Sequence, residues 1–237
     1  MKLTRSQLKK FIVEMMTPDM SQEKKKMFVL VGPPSVGKST WIQGTFDTQP
    51  YIINRDDLVE QVATEYGWTY DDMFAGPPDD AELGDSDPKF GEVVAPPAYM
   101  TWASSVYSKV NEANGKVHSL FMDRVSGAVP SGQDIVVDMT NMNAAARSRA
   151  LNAIEGHRDE YQKIAVVFEF QGAEEAIKKV AGRRAQQALA MGKSKTIPPA
   201  AFDRMFNAYE PVATDEGFDA IVDVDNREIL QDLADED

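Results

Sequence analysis

The chain has 237 residues, of which 43% are hydrophobic and 27% charged, a composition typical of a globular protein and unlike that of a disordered one. The formal net charge of −13 argues against a broad nucleic-acid-binding surface. The lack of cysteine excludes disulfides and cysteine-bound metals. Because no apolar run has the length of a membrane span and no signal peptide is evident, we expect a cytoplasmic protein without membrane contacts.

The N-terminal segment, residues 1–26, has the pattern of an amphipathic helix followed by a polar linker. Apolar residues recur at helical spacing in its first half: Leu8, Phe11, Ile12 and Met15. We expect this helix to pack on the main domain, with a partner-binding arm as the alternative.

A glycine-rich motif, residues 32–40, follows the first predicted strand at 27–31 and precedes a helix predicted from residue 39 to 46. It matches the spacing G-x-x-x-x-G-K-[ST] at every required position. In this strand–loop–helix context the motif predicts a phosphate-binding loop for ATP, in which Lys38 neutralises phosphate charge and the Ser39 hydroxyl holds Mg²⁺. The predicted nucleotide-binding residues are Gly32, Pro33, Pro34, Ser35, Val36, Gly37, Lys38, Ser39 and Thr40.

A polar element, residues 54–57, follows the short predicted strand at 51–53. Ligands of open α/β sheets bind at the carboxyl ends of the strands, so Asp56 is placed to accept the proton of an acceptor hydroxyl. Asp57 could do the same or could cap the next helix. Arg55 could pair with phosphate or make a surface salt bridge.

The following region is predicted to be an insert on the acceptor side, residues 67–130. Its first part, 67–98, is rich in Gly, Pro and Asp and is too long for an ordinary connector. Helical patterns then predict two helices, over 99–114 and 116–129.

The second half of the chain continues the alternation of strands and helices. Strands are predicted at 134–138, 164–168 and 218–224, and helices at 143–154, from 173, and at 200–209. The alternation predicts an α/β protein with the three-layer P-loop NTPase fold, a mainly parallel sheet with helices on both faces. Asp138 ends its strand and is predicted to anchor Mg²⁺, directly or through water, with a turn-capping role as the alternative.

Basic residues cluster in the helix after the fourth strand. Lys179 and Arg183 share a helix face and Arg184 is adjacent, so the region 173–210 is interpreted as a helical lid over the triphosphate, the alternative being an ordinary solvated helix. Residues 226–237 are interpreted as an acidic C-terminal tail.

Taken together, these motifs resemble the kinase domain of bacteriophage polynucleotide kinase. The resemblance rests on the phosphate-binding loop, the Asn-Arg-Asp-Asp element at 54–57, and the Asp-x-Thr-Asn-x-Asn element at 138–143 with Arg147. It covers about residues 27–225, which we interpret as a P-loop kinase domain. The resemblance implies an ATP- and Mg²⁺-dependent kinase that phosphorylates a 5′-hydroxyl of DNA or RNA.

The resemblance also implies roles for single residues. Asp56 falls on the general base of the family, and Lys38 and Ser39 fall on its phosphate and metal residues. Arg183 falls near the lid arginine, with Arg184 as the alternative. Thr140 and Asn141, like Arg55 and Asp57, would lie on the side that binds the acceptor.

Three departures from the family pattern concern the acceptor and the domain content. A family arginine that helps to hold the acceptor phosphate corresponds to Val59, the insert has no counterpart, and we expect no phosphatase domain after the kinase domain. The acceptor could therefore be the hydroxymethyl group of 5-hydroxymethyluracil in phage DNA, or a nucleoside or other small molecule. Outside the enzymes, the alternative is a nucleotide-dependent switch without phosphoryl transfer.

Overall fold

The computed structural model of the chain describes residues 24–74, 108–191, 197 and 199–235. The chain divides into two compact units, one of Met1–Arg55 with Met122–Asp237 and one of Asp56–Phe121. The predicted N-terminal helix, most of the predicted insert up to residue 107, and the segment 192–196 lie outside the described residues.

A parallel sheet forms the centre of the first unit. It has five strands in the order β2-β3-β1-β4-β5, so the strand that precedes the glycine-rich motif lies in the middle. The strands are β1 (Lys25–Val31), β2 (Tyr51–Asn54), β3 (Ile135–Asp138), β4 (Tyr161–Glu169) and β5 (Ala220–Asp225). All the pairings are parallel, as expected for strands that are connected through helices.

The register of the strands brings their carboxyl ends to one edge of the sheet. Val31 pairs with Val167 of β4, and Asn54 pairs with Asp138 at the end of β3. The glycine-rich motif, which follows β1, therefore starts at the edge where the predicted metal anchor lies.

Helices follow most of the strands in the described residues. They are α1 (Lys38–Thr45), α2 (Arg55–Tyr66), α3 (Ser108–Ala128), α4 (Ala144–Asn152), α5 (Glu174–Ala190), α6 (Pro199–Asn207) and α7 (Arg227–Asp235). Short 3₁₀ helices cover Asp71–Phe74, Val129–Ser131 and Glu155–Glu160.

Both faces of the sheet are buried, which explains why its strands are apolar runs rather than alternating ones. On one face Leu30 and Phe168 pack in a cluster with Trp41 of α1 and Phe202 of α6. On the other face Val29, Val137 and Ala165 are fully buried as well. The predicted three-layer α/β fold is confirmed.

The prediction of two helices at 99–114 and 116–129 is wrong for the part that the structure describes. One continuous helix, α3, runs through Gly115. Its buried residues form a single apolar stripe at helical spacing that continues across the glycine: Val110, Ala113, Val117, Phe121, Val125 and Ala128. Gly115 itself is exposed and has no neighbouring atom within 4 Å of a Cβ position, so it disturbs no packing.

The acidic C-terminal segment, interpreted from the sequence as a tail, contains the helix α7. Leu230 and Ala234 are buried one turn apart on its inner side, and α7 packs against α5. None of the described helices combines the length and the apolar character needed to cross a membrane.

Candidate nucleotide-binding site

The glycine-rich loop adopts a conformation that depends on its two glycines. Gly32 and Gly37 have φ values of 156° and 103°, which L side chains rarely adopt. A Cβ on Gly32 would lie 3.1 Å from Cβ of Phe168, and one on Gly37 would lie 2.8 Å from Nδ2 of Asn226. The loop therefore packs closely on its surroundings, as a backbone cradle for phosphate must.

The N-terminus of α1 is open to an anion. The helix begins at Lys38, its first turn contains no acidic residue, and no side chain caps it. Ser39 and Thr40 are exposed. Unpaired backbone N–H groups and the positive end of the helix dipole favour phosphate at such a position.

Lys38 lies across the loop. Its Nζ donates hydrogen bonds to the carbonyl oxygens of Gly32 and Pro33, each at 2.8 Å. The ammonium group is thereby held over the cradle, where a positive charge stabilises bound triphosphate.

Asp138, the predicted Mg²⁺ anchor, ends β3. Its carboxyl group is buried, and Oδ2 accepts a hydrogen bond from Nδ2 of Asn54 at 3.1 Å. Among the described residues no group of three or more His, Cys, Asp or Glu side chains could hold a metal ion. Mg²⁺ bound to a nucleotide needs no such group, because it takes one or two protein ligands together with phosphate oxygens and water. The hydroxyl of Ser39 and the carboxylate of Asp138 fit that requirement.

Thr140 and Asn141, predicted on the acceptor side, brace the start of the loop. The N–H of Gly32 donates to the carbonyl oxygen of Thr140 at 2.9 Å. Nδ2 of Asn141, which is 1% exposed, donates to the carbonyl oxygen of Leu30 at 2.8 Å. These contacts give both residues a structural function, and an acceptor-binding role for them stays a prediction.

Arg147 connects this turn to the segment after α6. Its guanidinium is fully buried and makes a bidentate ion pair with Glu216, with both N–O distances at 2.6 Å. It also donates to the carbonyl oxygens of Asn141 and Glu210, at 3.2 and 2.9 Å. The hydrogen bonds from Arg147 hold the pKa of Glu216 below its usual value.

Comparison with known proteins places the chain in a family. The family model for an AAA domain, AAA_33, matches residues 27–212, which is more than half of the chain. The chain belongs to the AAA_33 family. This is a family of P-loop, kinase-like domains, and its fold implies the use of ATP.

Solved structures with a similar fold are related at low identity. A chain of the Pnkp1/Rnl/Hen1 RNA repair complex is 16% identical with a TM-score of 0.48, and the match covers 80% of this chain and 45% of that one. A candidate kinase from Chloroflexus aurantiacus is 12% identical with a TM-score of 0.47, over 88% of this chain and 93% of that one. A gluconokinase from Sinorhizobium meliloti is 13% identical with a TM-score of 0.37, over 88% and 87%. No curated protein matches the chain.

The chain thus spans less than half the length of the RNA repair protein that it matches. The AAA_33 match ends before β5 and α7, yet both belong to the first unit. Asn226, between them, donates from Nδ2 to the carbonyl oxygen of Val36 at 3.3 Å and so supports the loop from outside the matched region.

The predicted lid arginines of this AAA_33 protein differ in their surroundings. Arg183 of α5 is half-buried and donates a hydrogen bond to the carbonyl oxygen of Leu233 in α7. Arg184 and Lys179 are exposed on α5. The contact with phosphate expected of Arg183 or Arg184 stays a prediction.

The carboxylates of the Asn-Arg-Asp-Asp element begin the second unit of this AAA_33 protein. Asp56 and Asp57 are exposed in the first turn of α2, where the helix dipole favours negative charge. Arg55, which precedes them in the first unit, is half-buried. Oδ1 of Asp56 accepts a hydrogen bond from the phenol of Tyr70 at 3.0 Å, a contact that no pattern in the sequence indicates. Val59, at the position of the family arginine, is fully buried.

Proposed function

We propose that the protein is an ATP-dependent kinase that transfers the γ-phosphate to a hydroxyl of a nucleic acid, namely the 5′-hydroxyl of a polynucleotide. The observation that carries the proposal is the pairing of Asn54 with Asp138. This bond joins the strand that leads into the Asn-Arg-Asp-Asp element to the strand that ends in the predicted metal anchor.

In the proposed reaction, the carboxylates of Asp56 and Asp138 have separate roles. Ser39 and Asp138 would hold Mg²⁺ beside ATP, where the ion would offset the charge that develops on the transferred phosphoryl group. Asp56 accepts the proton of the acceptor hydroxyl while that oxygen forms its bond to the γ-phosphorus, and the bond to the bridging oxygen of ADP breaks. Lys38 stabilises the charge on the departing phosphate oxygens.

A second acceptor is favoured by one specific observation. Val59 is 0% exposed, so the buried side of α2 carries an apolar side chain at this position. The family that the chain resembles has an arginine there that helps to hold the acceptor phosphate. The second acceptor is the hydroxymethyl group of 5-hydroxymethyluracil within DNA. Its binding does not require an arginine at this position to hold a terminal phosphate.

The test is phosphoryl transfer from γ-labelled ATP in the presence of Mg²⁺ to a panel of acceptors. The panel contains 5′-hydroxyl DNA, 5′-hydroxyl RNA, DNA with internal 5-hydroxymethyluracil, and free nucleosides. We expect label at the 5′ end of the oligonucleotides. Label only at internal modified bases would support the second acceptor, and label only on nucleosides would exclude both.

Two variants in the same helix assign the general base. Asp56→Asn is expected to lower kcat by about 10²- to 10⁴-fold, the usual contribution of general base catalysis, and to leave KM for ATP unchanged. Glu60→Gln, one turn further along the same helix and also exposed, is the matched control and should retain most of the activity. Equal losses in the two variants would contradict the assignment to Asp56.

A further inference from the structure

The segment that follows α2 in the second unit carries an aromatic hydroxyl back to the start of that helix. The helix ends at Tyr66, and Gly67 has a φ of 70°. The N–H of Trp68 donates to the carbonyl oxygen of Ala63 at 2.8 Å, and that of Gly67 donates to Thr64 at 3.1 Å. This pair of bonds is a Schellman motif, which reverses the direction of the chain at a helix end.

A second local motif fixes the backbone on both sides of Tyr70. Both the N–H and the hydroxyl of Thr69 donate to Oδ2 of Asp72 at 2.7 Å, and the N–H of Asp72 donates to the Thr69 hydroxyl at 3.3 Å. The bonds from Thr69 lower the pKa of Asp72, so this cap is charged and intact at neutral pH. Met73, one residue further, is 1% exposed and anchors the segment.

The result of these two motifs is a hydrogen bond between a phenol and a carboxylate. The hydroxyl of Tyr70 donates to Oδ1 of Asp56 at 3.0 Å across 14 positions of sequence. A hydrogen bond to a charged acceptor is stronger than one between neutral groups and restricts the rotation of the carboxylate.

We propose that Tyr70 is a positioning residue for Asp56, one that sets the orientation of the carboxylate plane before an acceptor hydroxyl arrives. The inference rests on the proposed function, in which Asp56 is the general base. It assigns a function to the two caps around Tyr70, because each fixes backbone that brings the phenol to Asp56.

The same unit offers a matched control. The hydroxyl of Tyr66 donates to Oε1 of Glu112, also at 3.0 Å, and this bond raises the pKa of the Tyr66 phenol. Tyr66→Phe and Tyr70→Phe therefore each remove one phenol–carboxylate hydrogen bond from the second unit, but only Tyr70→Phe removes one made to Asp56.

The experiment measures transfer from labelled ATP to the best acceptor of the panel for the full-length protein and its variants. We expect Tyr70→Phe to lower kcat by about 10-fold, since small errors in the placement of a reacting group are costly, with KM for ATP unchanged. Tyr66→Phe should keep the kcat of the unsubstituted protein. In the Asp56→Asn background, Tyr70→Phe should cause no further loss of the residual rate, because the carboxylate that it orients is absent.

The outcomes separate this inference from the proposed function. If the unsubstituted protein transfers phosphate and Tyr70→Phe behaves like Tyr66→Phe, the positioning role is wrong while the kinase activity stands. A loss that is the same in the presence and absence of the Asp56 carboxylate would also overturn it, since it would show an effect on general structure. Lack of transfer to every acceptor by the unsubstituted protein would refute the proposed function, and the inference would fall with it.

Discussion

The buried guanidinium of Arg147 shows how a single residue stabilises the structure around the glycine-rich loop. It is surrounded by a carboxylate and backbone carbonyl oxygens, so its charge is paired and its donors are satisfied without water. Removing one partner of a buried ion pair leaves the other charge desolvated, which costs more than the pair contributes. Arg147 also donates a hydrogen bond to the carbonyl oxygen of Asn141. Loss of the ion pair therefore destabilises the turn that braces the glycine-rich loop.

The first prediction concerns Glu216, the partner of Arg147. Its pKa is lowered in the folded state from 4.5, so the unfolded chain takes up a proton at a higher pH than the folded protein does. This part of the stability is present above pH 4.5 and is lost as the pH falls through the lowered pKa. Glu216→Gln should lower the free energy of unfolding by about 3 kcal/mol at neutral pH, and the difference from the unsubstituted protein should shrink in acid.

Urea unfolding at neutral and at acidic pH measures both effects. The control is Glu175→Gln, which removes an ion pair with Lys178 at a carboxylate that is 82% exposed. Exposed pairs contribute between about 0 and 1 kcal/mol, so this variant should change little at either pH. A Glu216→Gln difference that stayed constant with pH would show that the lowered pKa is not the source of the stability.

Some residues with a predicted or proposed role can be recognised from the sequence and others cannot. The difference depends on how far along the chain their interaction partners lie. Lys38, Asp56 and Asp138 are recognisable because each belongs to a short motif or ends an apolar strand. Asn226 supports the glycine-rich loop across 190 positions, and no local pattern marks it. Tyr70 is near Asp56 in sequence, but its bond depends on two capping motifs whose combined geometry cannot be read from residue types alone.

Among the elements, the strands were predictable and two of the helices were not. Strands buried on both faces are continuous apolar runs, which is why β1 and β3 were expected within about two residues of their bounds. In α3, the predicted boundary between two helices falls at Gly115, whose weak helix propensity is outweighed by the apolar stripe on both sides of it. In α7, the acidic composition suggested a tail, although the spacing of Leu230 and Ala234 is that of a packed helix face.

The second prediction tests whether α7 is part of the folded unit that carries the loop. Leu230 is 2% exposed, so Leu230→Ala should lower the free energy of unfolding by about 2 to 4 kcal/mol through lost burial and a remaining cavity. Ile229, the preceding residue, is 52% exposed, and Ile229→Ala should change stability by less than about 0.5 kcal/mol. Thermal or urea unfolding measures both, and equal effects would contradict the packing of α7.

The charge of the whole molecule sets a limit on how a polynucleotide can bind. A net charge of −13 repels a polyanion, so a nucleic-acid acceptor must be held through a few phosphates near its end and not along an extended groove. The basic residues of α5 are too few to reverse this balance over a long strand, since α5 also carries Glu174 and Glu175 in its first turn. Such a net charge is compatible with a protein that binds the end of a polynucleotide strand and does not bind along the strand.

The third prediction follows from this limit and concerns the salt dependence of acceptor binding. For single strands each neutralised phosphate adds about 0.7 to the slope of log K against log salt, so one or two contacts predict a rise in acceptor KM of less than about 10-fold between about 50 and 200 mM salt. Short and long 5′-hydroxyl oligonucleotides should have similar KM values, because added nucleotides meet no further positive charge. The measurement is KM for both acceptors across the salt series at saturating ATP. A steep salt slope together with tighter binding of the longer strand would show an extended basic track, contrary to what the overall charge of the molecule predicts.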